Sequence, residues 1–471
     1  MQRIDKIYIN GEFVTPHGEE WYDLYNPATE QVIGQVRLAD IEDTHRAIAA
    51  AKAALPAMSR TTKEERIEML SRMQQAMQNC EAELRDARIE EFGAPLTLAQ
   101  EGAAVPAIII GLAIAELQNY AFEQQVGSAR VQMKPHGVAG LITPWNHNAV
   151  FICNKLANAL AAGCTAVIKP SEMSAIQTQI VTKALHEAGL PPGVFNIVTG
   201  RGDVVGNEIS SHPDIAKISF TGSTATGKAI LLNAADTFKR VTLEMGGKSP
   251  VIILDDARVE DAIPLAITTG FLNNAQACIA GTRILVPESR KAEFESALQQ
   301  AVENVVCGDP RQPQTQVGPM VSQKQWDRIQ GYIRIGIDEG ARLLVGGEGR
   351  PESLSQGWYV KPTLFTDVNN SMTIARDEIF GPVLSIISYR DEAEAIAIAN
   401  DTKYGLNALV LGSDAERATR VAEQIESGRV LINSLNQDPR APFGGVKHSG
   451  MGRELGKWGI ESFMEPKAIL S

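Results

Sequence analysis

The sequence predicts an α/β protein built on two mainly parallel sheets, and three observations carry that prediction. Strand-like apolar runs alternate with helical stretches from about residue 138 to 245. A second alternation runs from about 250 to 433. Glycine and polar residues gather where the strand-like runs end. With 471 residues, 44% of them apolar and 21% charged, the chain can bury a large core and divide into two or more domains. Such alternation implies right-handed crossovers, a sheet covered on both faces and ligands bound beyond the carboxyl ends of the strands.

The first alternation has strand-like runs at 138–143, 165–169, 194–199, 216–221 and 240–245, with helical stretches at 148–162, 175–188, 203–211 and 225–235 between them. The second has strand-like runs at 250–254, 283–286, 359–368, 382–389, 404–412 and 429–433, and helices near 257–273, 291–305, 322–339 and 415–427. No repeat, low-complexity tract or long linker separates them, so close packing of two domains is expected. Before them, the apolar run 103–115, interrupted by Pro106 and Gly111, is too short to span a bilayer and reads as a core helix. The stretch 120–133, followed by Pro135, alternates polar and apolar residues like a projecting hairpin of the kind that makes subunit contacts.

Charge and cysteine usage narrow the partners. A net charge of -12 with no Lys/Arg run repels phosphate backbones and anionic lipid, so neither nucleic acid nor membrane is an expected partner. Five cysteines without CxxC spacing suggest no zinc site and no disulfide framework, and seven scattered histidines offer no metal-ligand pair at helical spacing; no metal is expected. The first residues lack the apolar core of a secretory signal, and a cytoplasmic, reducing compartment is the expectation.

Several motifs carry chemistry. Cys278 lies in Asn273-Asn274-Ala275-Gln276-Ala277-Cys278-Ile279, downstream of Leu243-Glu244-Met245-Gly246-Gly247-Lys248. A thiol needs a positive field or a base to become a nucleophile, and Glu244 could serve as that base or could activate a water; a small buried hydrophobe is the plainer reading of such a cysteine. Phe220-Thr221-Gly222-Ser223-Thr224-Ala225-Thr226-Gly227-Lys228 follows a strand and opens a helix, where backbone N–H groups can hold a pyrophosphate. Its spacing approaches a nucleotide-triphosphatase P-loop, but Ala229 stands where magnesium binding needs a hydroxyl. Gly200-Arg201-Gly202 with Gly206 falls one residue out of step with a dinucleotide fingerprint. Lys169 and Glu172 close one strand, and Pro144-Trp145-Asn146 follows another with an amide suited to a developing oxyanion. Glu378-Ile379-Phe380-Gly381-Pro382 and Pro442-Phe443-Gly444-Gly445 alone read as loops.

Taken in order over almost the whole chain, these segments resemble the aldehyde dehydrogenase superfamily. The resemblance implies a three-part subunit: a Rossmann-like NAD-binding domain (1–119 and 139–246), a second α/β catalytic domain (247–440), and a small oligomerisation element of a hairpin (120–138) with the carboxyl-terminal segment (441–471). It implies Cys278 as nucleophile, Asn146 with the Cys278 N–H as oxyanion holder, Glu244 as base, and Lys155 and Glu454 as proton-relay positions. For NAD it implies Lys169 and Glu172 at the adenosine ribose, Trp145, Gly222 and Ser223 near the pyrophosphate, and Glu378 with Phe380 at the nicotinamide riboside. The retained glutamate points to release of a carboxylic acid by hydrolysis, since members that pass the acyl group to coenzyme A generally lack it.

Two departures stand out. Ala275 replaces a common glycine, and His147-Asn148 replace a common aromatic-Pro pair beside Asn146. By resemblance the aldehyde tunnel is lined by His147, Asn148, Val150, Phe151 and Asn154, by Ala277 and Ile279, and by Asn436, Gln437, Asp438, Arg440 and Phe443. A tunnel this polar predicts a small polar or hydroxylated aldehyde. NAD over NADP, and a homotetramer or homodimer formed through the hairpin and 463–471, complete the expectations. The competing classes are a non-catalytic member of the same fold, which would be expected to lose Cys278, Glu244 or Asn146, and a P-loop-like triphosphatase.

Overall fold

A computed structural model of the chain describes residues 2–470; Met1 and Ser471, the outer ends of the first and last expected segments, lie outside the described residues. An eight-stranded sheet runs in the order Gly450–Met451, Arg240–Glu244, Ile215–Thr221, Val138–Ile142, Thr165–Lys169, Phe195–Ile197, Ile7–Ile9, Glu12–Val14. Its five central strands are parallel and its outer pairings antiparallel. Val138–Ile142 and Thr165–Lys169 are buried at every residue, so their unbroken apolar character follows from helices on both faces. The helix Asn148–Ala162 that joins them is almost wholly buried and stops at Gly163, whose φ of 92° suits a residue without a Cβ.

The second sheet has seven strands in the order Arg342–Val345, Thr363–Thr366, Val383–Tyr389, Arg283–Pro287, Pro250–Ile253, Asn407–Leu411, Arg429–Ile432. All its pairings are parallel except the first. The expected strand 359–368 shrinks to Thr363–Thr366, and the strand Arg342–Val345 and the helix Glu392–Asn400 are additions. The larger addition is amino-terminal: helices Ile41–Met58, Lys63–Asn79 and Glu81–Phe92 join Leu96–Asn119, which contains the core helix expected at 103–115, in a layer that the strand–helix alternation did not reveal. Local signals were present, since Asp40/Asp43 and Thr62/Glu65 form reciprocal capping boxes. Leu96–Asn119 is long and apolar enough to cross a bilayer, yet it packs against four helices: Lys63–Asn79, Glu81–Phe92, Asn148–Ala162 and Gly456–Glu461.

The hairpin expected at 120–133 consists of Glu123–Val126 and Ala129–Pro135, and Met464–Ile469 pairs antiparallel with its second strand. Before reaching it, the terminal segment adds Gly450–Met451 to the edge of the first sheet, with Gly450 opposite Glu244. Gly450 has φ 148°, and a Cβ there would lie 2.0 Å from the Leu243 carbonyl oxygen. Only glycine fits. Gly450→Ala is therefore expected to cost about 1–3 kcal/mol through backbone displacement; thermal unfolding checks this, and an unchanged midpoint would contradict it.

Candidate active site

Parallel strands deliver the reactive residues to one edge. Pro144, Trp145 and Asn146 follow the strand Val138–Ile142, Gly222 and Ser223 follow Ile215–Thr221, and Glu244 ends Arg240–Glu244. Cys278 comes from the other sheet, in the loop between the helix Val259–Gly270 and the strand Arg283–Pro287. Together with Phe151, Glu378 and Phe380 these residues line one groove of about 550 Å³.

The cysteine loop is held by its own polar side chains. Asn273, Asn274 and Ala275 all have φ between 53° and 59°, a conformation that costs about 1–2 kcal/mol for each side chain bearing a Cβ. Hydrogen bonds offset that strain. Asn274 Nδ2 donates to the Gly93 carbonyl (3.0 Å) and its Oδ1 accepts from Gly318 N (2.8 Å), while Gln276 Oε1 accepts from Val321 N (3.1 Å). Asn273 Oδ1 accepts from Arg88 Nη2 (3.2 Å). The Ala275 departure thus occupies a left-handed position where glycine would be free of cost. Asn146 Nδ2 donates to the Gln276 carbonyl (3.0 Å), which orients the amide toward the cysteine loop and leaves its second N–H for an oxyanion.

Electrostatics separate the groups sharply. Burial pushes the Cys278 thiol up to about 12, and the charges of Glu378 and Glu244 push the same way; Arg429 pulls it down. Burial, and then the Glu454 charge, hold the Glu244 carboxyl well above the usual carboxylate range. Both Glu244 oxygens are buried with no hydrogen-bond partner among the described residues. Glu378 rises to about 7 through burial, opposed first by the Gly247 N–H that it accepts at 3.0 Å. His147, half-buried, falls to about 3 through burial and the Arg88 charge, so it is a neutral imidazole at physiological pH.

Beneath Glu244 lies a buried polar knot. Lys155 Nζ bonds to Glu454 Oε1 and donates to Ser219 Oγ (2.9 Å); Glu454 Oε1 also accepts from Ser219 Oγ (3.1 Å), and its Oε2 accepts from Asn154 Nδ2 (3.0 Å). The groove's other end is suited to a dinucleotide. Ser223 caps the twelve-residue helix Thr224–Ala235, accepting from Thr226 N (3.2 Å), and Gly222, Ser223, Thr224 and Ala225 bring the helix start to the groove. Trp145 meets Phe380 edge-on, with ring centroids 5.5 Å apart.

Other expected positions lie outside this lining. Lys169 and Glu172 pair with each other at 3.2 Å. His147, Ile279, Gln437 and Phe443 do not line the groove. The polar tunnel of the sequence reading is largely satisfied internally: Asn148 bonds Thr178, Asn154 bonds Glu454, and Asp438 pairs with Arg440 on an exposed loop. Sequence reasoning missed Gln325, Arg328 and Tyr332, which share a face of the helix Gln323–Asp338 at spacings of three and four, and missed Asp377, Lys403 and Tyr404 on loops. It also missed Arg429, which Asn407 links to the carbonyl of Ile279, the residue after Cys278, and which no local pattern signals. Away from the groove, His45, Glu208 and His212 come within ligand distance of one another, but His212 Nδ1 already accepts from Asp214 N (3.1 Å).

The sequence model of the aldehyde dehydrogenase family matches residues 13–469. A 3-succinoylsemialdehyde-pyridine dehydrogenase of a Pseudomonas species is 44% identical over 475 residues, covering 100% of this chain and 99% of the relative. Among solved structures, a mutant of aldehyde dehydrogenase C of Pseudomonas syringae in complex with NAD+ and octanal superposes with a TM-score of 0.98 at 43% identity, covering 100% and 98% of the two chains. A Mycobacterium tuberculosis aldehyde dehydrogenase complexed with NAD+ gives 0.97 at 38%, covering 100% and 98%.

The buried Glu244 has a consequence for stability. A carboxyl whose folded pKa exceeds its ordinary 4.5 costs nothing below that value; the cost grows as pH rises toward the folded pKa and is complete above it. Glu244→Gln removes the ionisation, so its thermal midpoint relative to the parent should be higher at about pH 9 than at about pH 5. Equal differences at the two pH values would refute the raised pKa.

Proposed function

Because the chain belongs to the aldehyde dehydrogenase family and oxidises an aldehyde with NAD, we propose that Cys278 is its nucleophile, Asn146 its oxyanion holder and Glu244 its base. The observation that carries this reading is the convergence, on one groove, of a thiol, an amide with a free N–H and a carboxylate whose two oxygens are unpartnered. The non-catalytic and triphosphatase alternatives are not favoured.

The Cys278 thiol is neutral in its surroundings, so its proton must leave as sulfur attacks. That proton leaves to solvent along the groove, and Glu244, held above the usual carboxylate range, stays a stronger base than an exposed carboxylate for the later hydrolytic water. Sulfur bonds to the aldehyde carbon, the carbonyl electron pair moves to oxygen, and the oxyanion receives the free Asn146 N–H and the Cys278 N–H. NAD supplies the hydride acceptor when bound, with Trp145, Gly222, Ser223, Glu378 and Phe380 lining its groove and Lys169 and Glu172 at the adjoining strand end as its ribose contacts. Loss of hydride leaves a thioester on Cys278. Glu244 then takes a proton from water, whose oxygen adds to the acyl carbon; the carbon–sulfur bond breaks and a carboxylic acid departs. Lys155 and Glu454 pass the proton from Glu244 onward.

The substrate proposed is a small polar aldehyde. One relative's structure holds octanal and another relative is named for a succinoyl semialdehyde, so apolar and carbonyl-bearing aldehydes both occur among similar proteins. We assign residues 1–119 and 139–246 to NAD binding, 247–440 to the catalytic domain, and 120–138 with 441–471 to oligomerisation. Gly450–Met451 within the last segment also extends the cofactor sheet. A cytoplasmic homotetramer or homodimer with preference for NAD over NADP completes the reading; Glu172 would repel a 2′-phosphate.

Cys278→Ala should abolish aldehyde oxidation while NAD titration stays close to that of the parent; residual turnover within about tenfold would sink the assignment. Glu244→Gln should keep a burst of NADH equal to the active sites while steady turnover falls by roughly two to four orders of magnitude. An unchanged steady rate would exclude the glutamate as base for hydrolysis. For the assembly, light scattering at about micromolar concentration should give a dimer or tetramer, and a monomer would refute the hairpin's proposed role.

A further inference from the structure

We propose that Arg429 forms an anion-binding subsite beside the catalytic thiol, and that the preferred substrates are aldehydes carrying a carboxylate, the half-aldehydes of short dicarboxylic acids. This deepens the reading above and rests on its assignment of Cys278 as nucleophile.

Arg429 opens the strand Arg429–Ile432, on the same face as Leu431, which packs on the cluster containing Phe271 and Ala275 at the root of the cysteine loop. Its Nε donates to Asn407 Oδ1 (2.9 Å), and Asn407 Nδ2 donates to the carbonyl of Ile279 (3.3 Å), the residue after the thiol. Two hydrogen bonds therefore tie the guanidinium to the cysteine loop. Its Nη1 donates to Gln437 Oε1 (2.9 Å), and the guanidinium carbon lies 5.1 Å from the centroid of the Phe443 ring. Arg429, Gln437, Phe443 and Ile279 are absent from the lining of the cofactor groove, so they gather outside it.

What is missing is a counter-charge. Arg429 makes no salt bridge among the described residues, and its Nη2 is buried without any hydrogen-bond partner there. A buried charged donor left unpaired is costly, and a guanidinium fork matches a carboxylate better than a hydroxyl or an amide. Neutral side chains hold Nε and Nη1 in place, which fixes the direction of the fork while leaving Nη2 free. Asn148 and Asn154 are already bonded to Thr178 and Glu454, and Arg440 is paired with Asp438, so Arg429 is the charged group left to read the substrate's far end. Its charge also opposes the upward shift of the Cys278 thiol, consistent with a short separation.

The test compares kcat/KM, from NADH formation, for a short ω-carboxy aldehyde, its methyl ester, an ω-hydroxy aldehyde and the straight-chain aldehyde of equal length. The parent enzyme should prefer the carboxylate over its ester by about tenfold or more. Arg429→Gln should bring that ratio close to one, mainly through KM for the acid, and Arg429→Lys should retain part of it. NAD titration and the thermal midpoint establish that each variant is folded. Where Arg429→Gln does not fold, inhibition of the parent by an unreactive short dicarboxylate against its diester reads the same subsite, and the diacid should bind at least about tenfold tighter. Equal efficiency of the parent with acid and ester, equal losses for both in Arg429→Gln, or equal inhibition by diacid and diester would each overturn the subsite. A hydroxy aldehyde that outperforms the alkyl one while acid and ester are equal would overturn Arg429's role alone. An alkyl aldehyde that outperforms all three would overturn the polar-substrate reading as well.

Discussion

The ion pair between Lys155 and Glu454 is the constraint on which the site depends. Both groups are almost completely buried, and taking two such charges out of water costs several kcal/mol each unless the remaining donors and acceptors are satisfied. Here Ser219 and Asn154 satisfy them. The four residues come from the helix Asn148–Ala162, the strand Ile215–Thr221 and the terminal segment, so one knot fixes the register of three elements that meet beside Glu244. Replacing one partner would leave an uncompensated charge and loosen all three. The Glu454 charge also helps burial to raise the Glu244 carboxyl, against the smaller opposing effect of Lys155.

A second constraint is the cost stored in the cysteine loop. Three successive residues in the left-handed region are unfavourable on their own, and the loop keeps that shape because Asn273, Asn274 and Gln276 spend their side chains on the backbone of Asn146, Gly93 and Val321 in three other segments. The asparagine-rich run that reads as an unremarkable polar stretch is thus the framework that presents the thiol. Its polar residues are there for geometry, and Ala275 between them holds a positive φ at a cost that glycine would not incur.

Much of this was legible beforehand. Strands such as Val138–Ile142 and Thr165–Lys169 are continuous apolar runs ending in polar residues, and that pattern alone locates the ligand edge of a parallel sheet. Cys278, Glu244, Asn146, Ser223 and Glu378 sit in short motifs whose local chemistry is readable, and the structure brings all five to one groove. What stayed hidden depends on distant partners. Of the helical layer before residue 120 only the core helix at 103–115 was read, because the layer lacks alternation with strands, although capping boxes mark two helix starts. Asn148, Asn154, Asp438 and Arg440 looked like tunnel polarity because a sequence does not show that Thr178, Glu454 and one another already occupy them. Arg429 looked like an ordinary strand residue because its meaning lies in Asn407, Phe443 and the cysteine loop.

The route of the terminal segment bears on synthesis. Glu454 closes the buried knot, Gly450 lies against Glu244, and Met464–Ile469 locks onto the hairpin, all in residues translated well after Cys278. The Cys278 thiol, the Asn146 amide and the Glu244 carboxyl are made before them. A nascent chain that has translated Cys278 but not residue 454 holds Lys155 without its counter-ion and the cofactor sheet without its edge strand, so the groove cannot set. Any reactivity that depends on the assembled groove is therefore coupled to translation past residue 454, and fragments released earlier carry the Cys278 thiol without the buried knot beside Glu244.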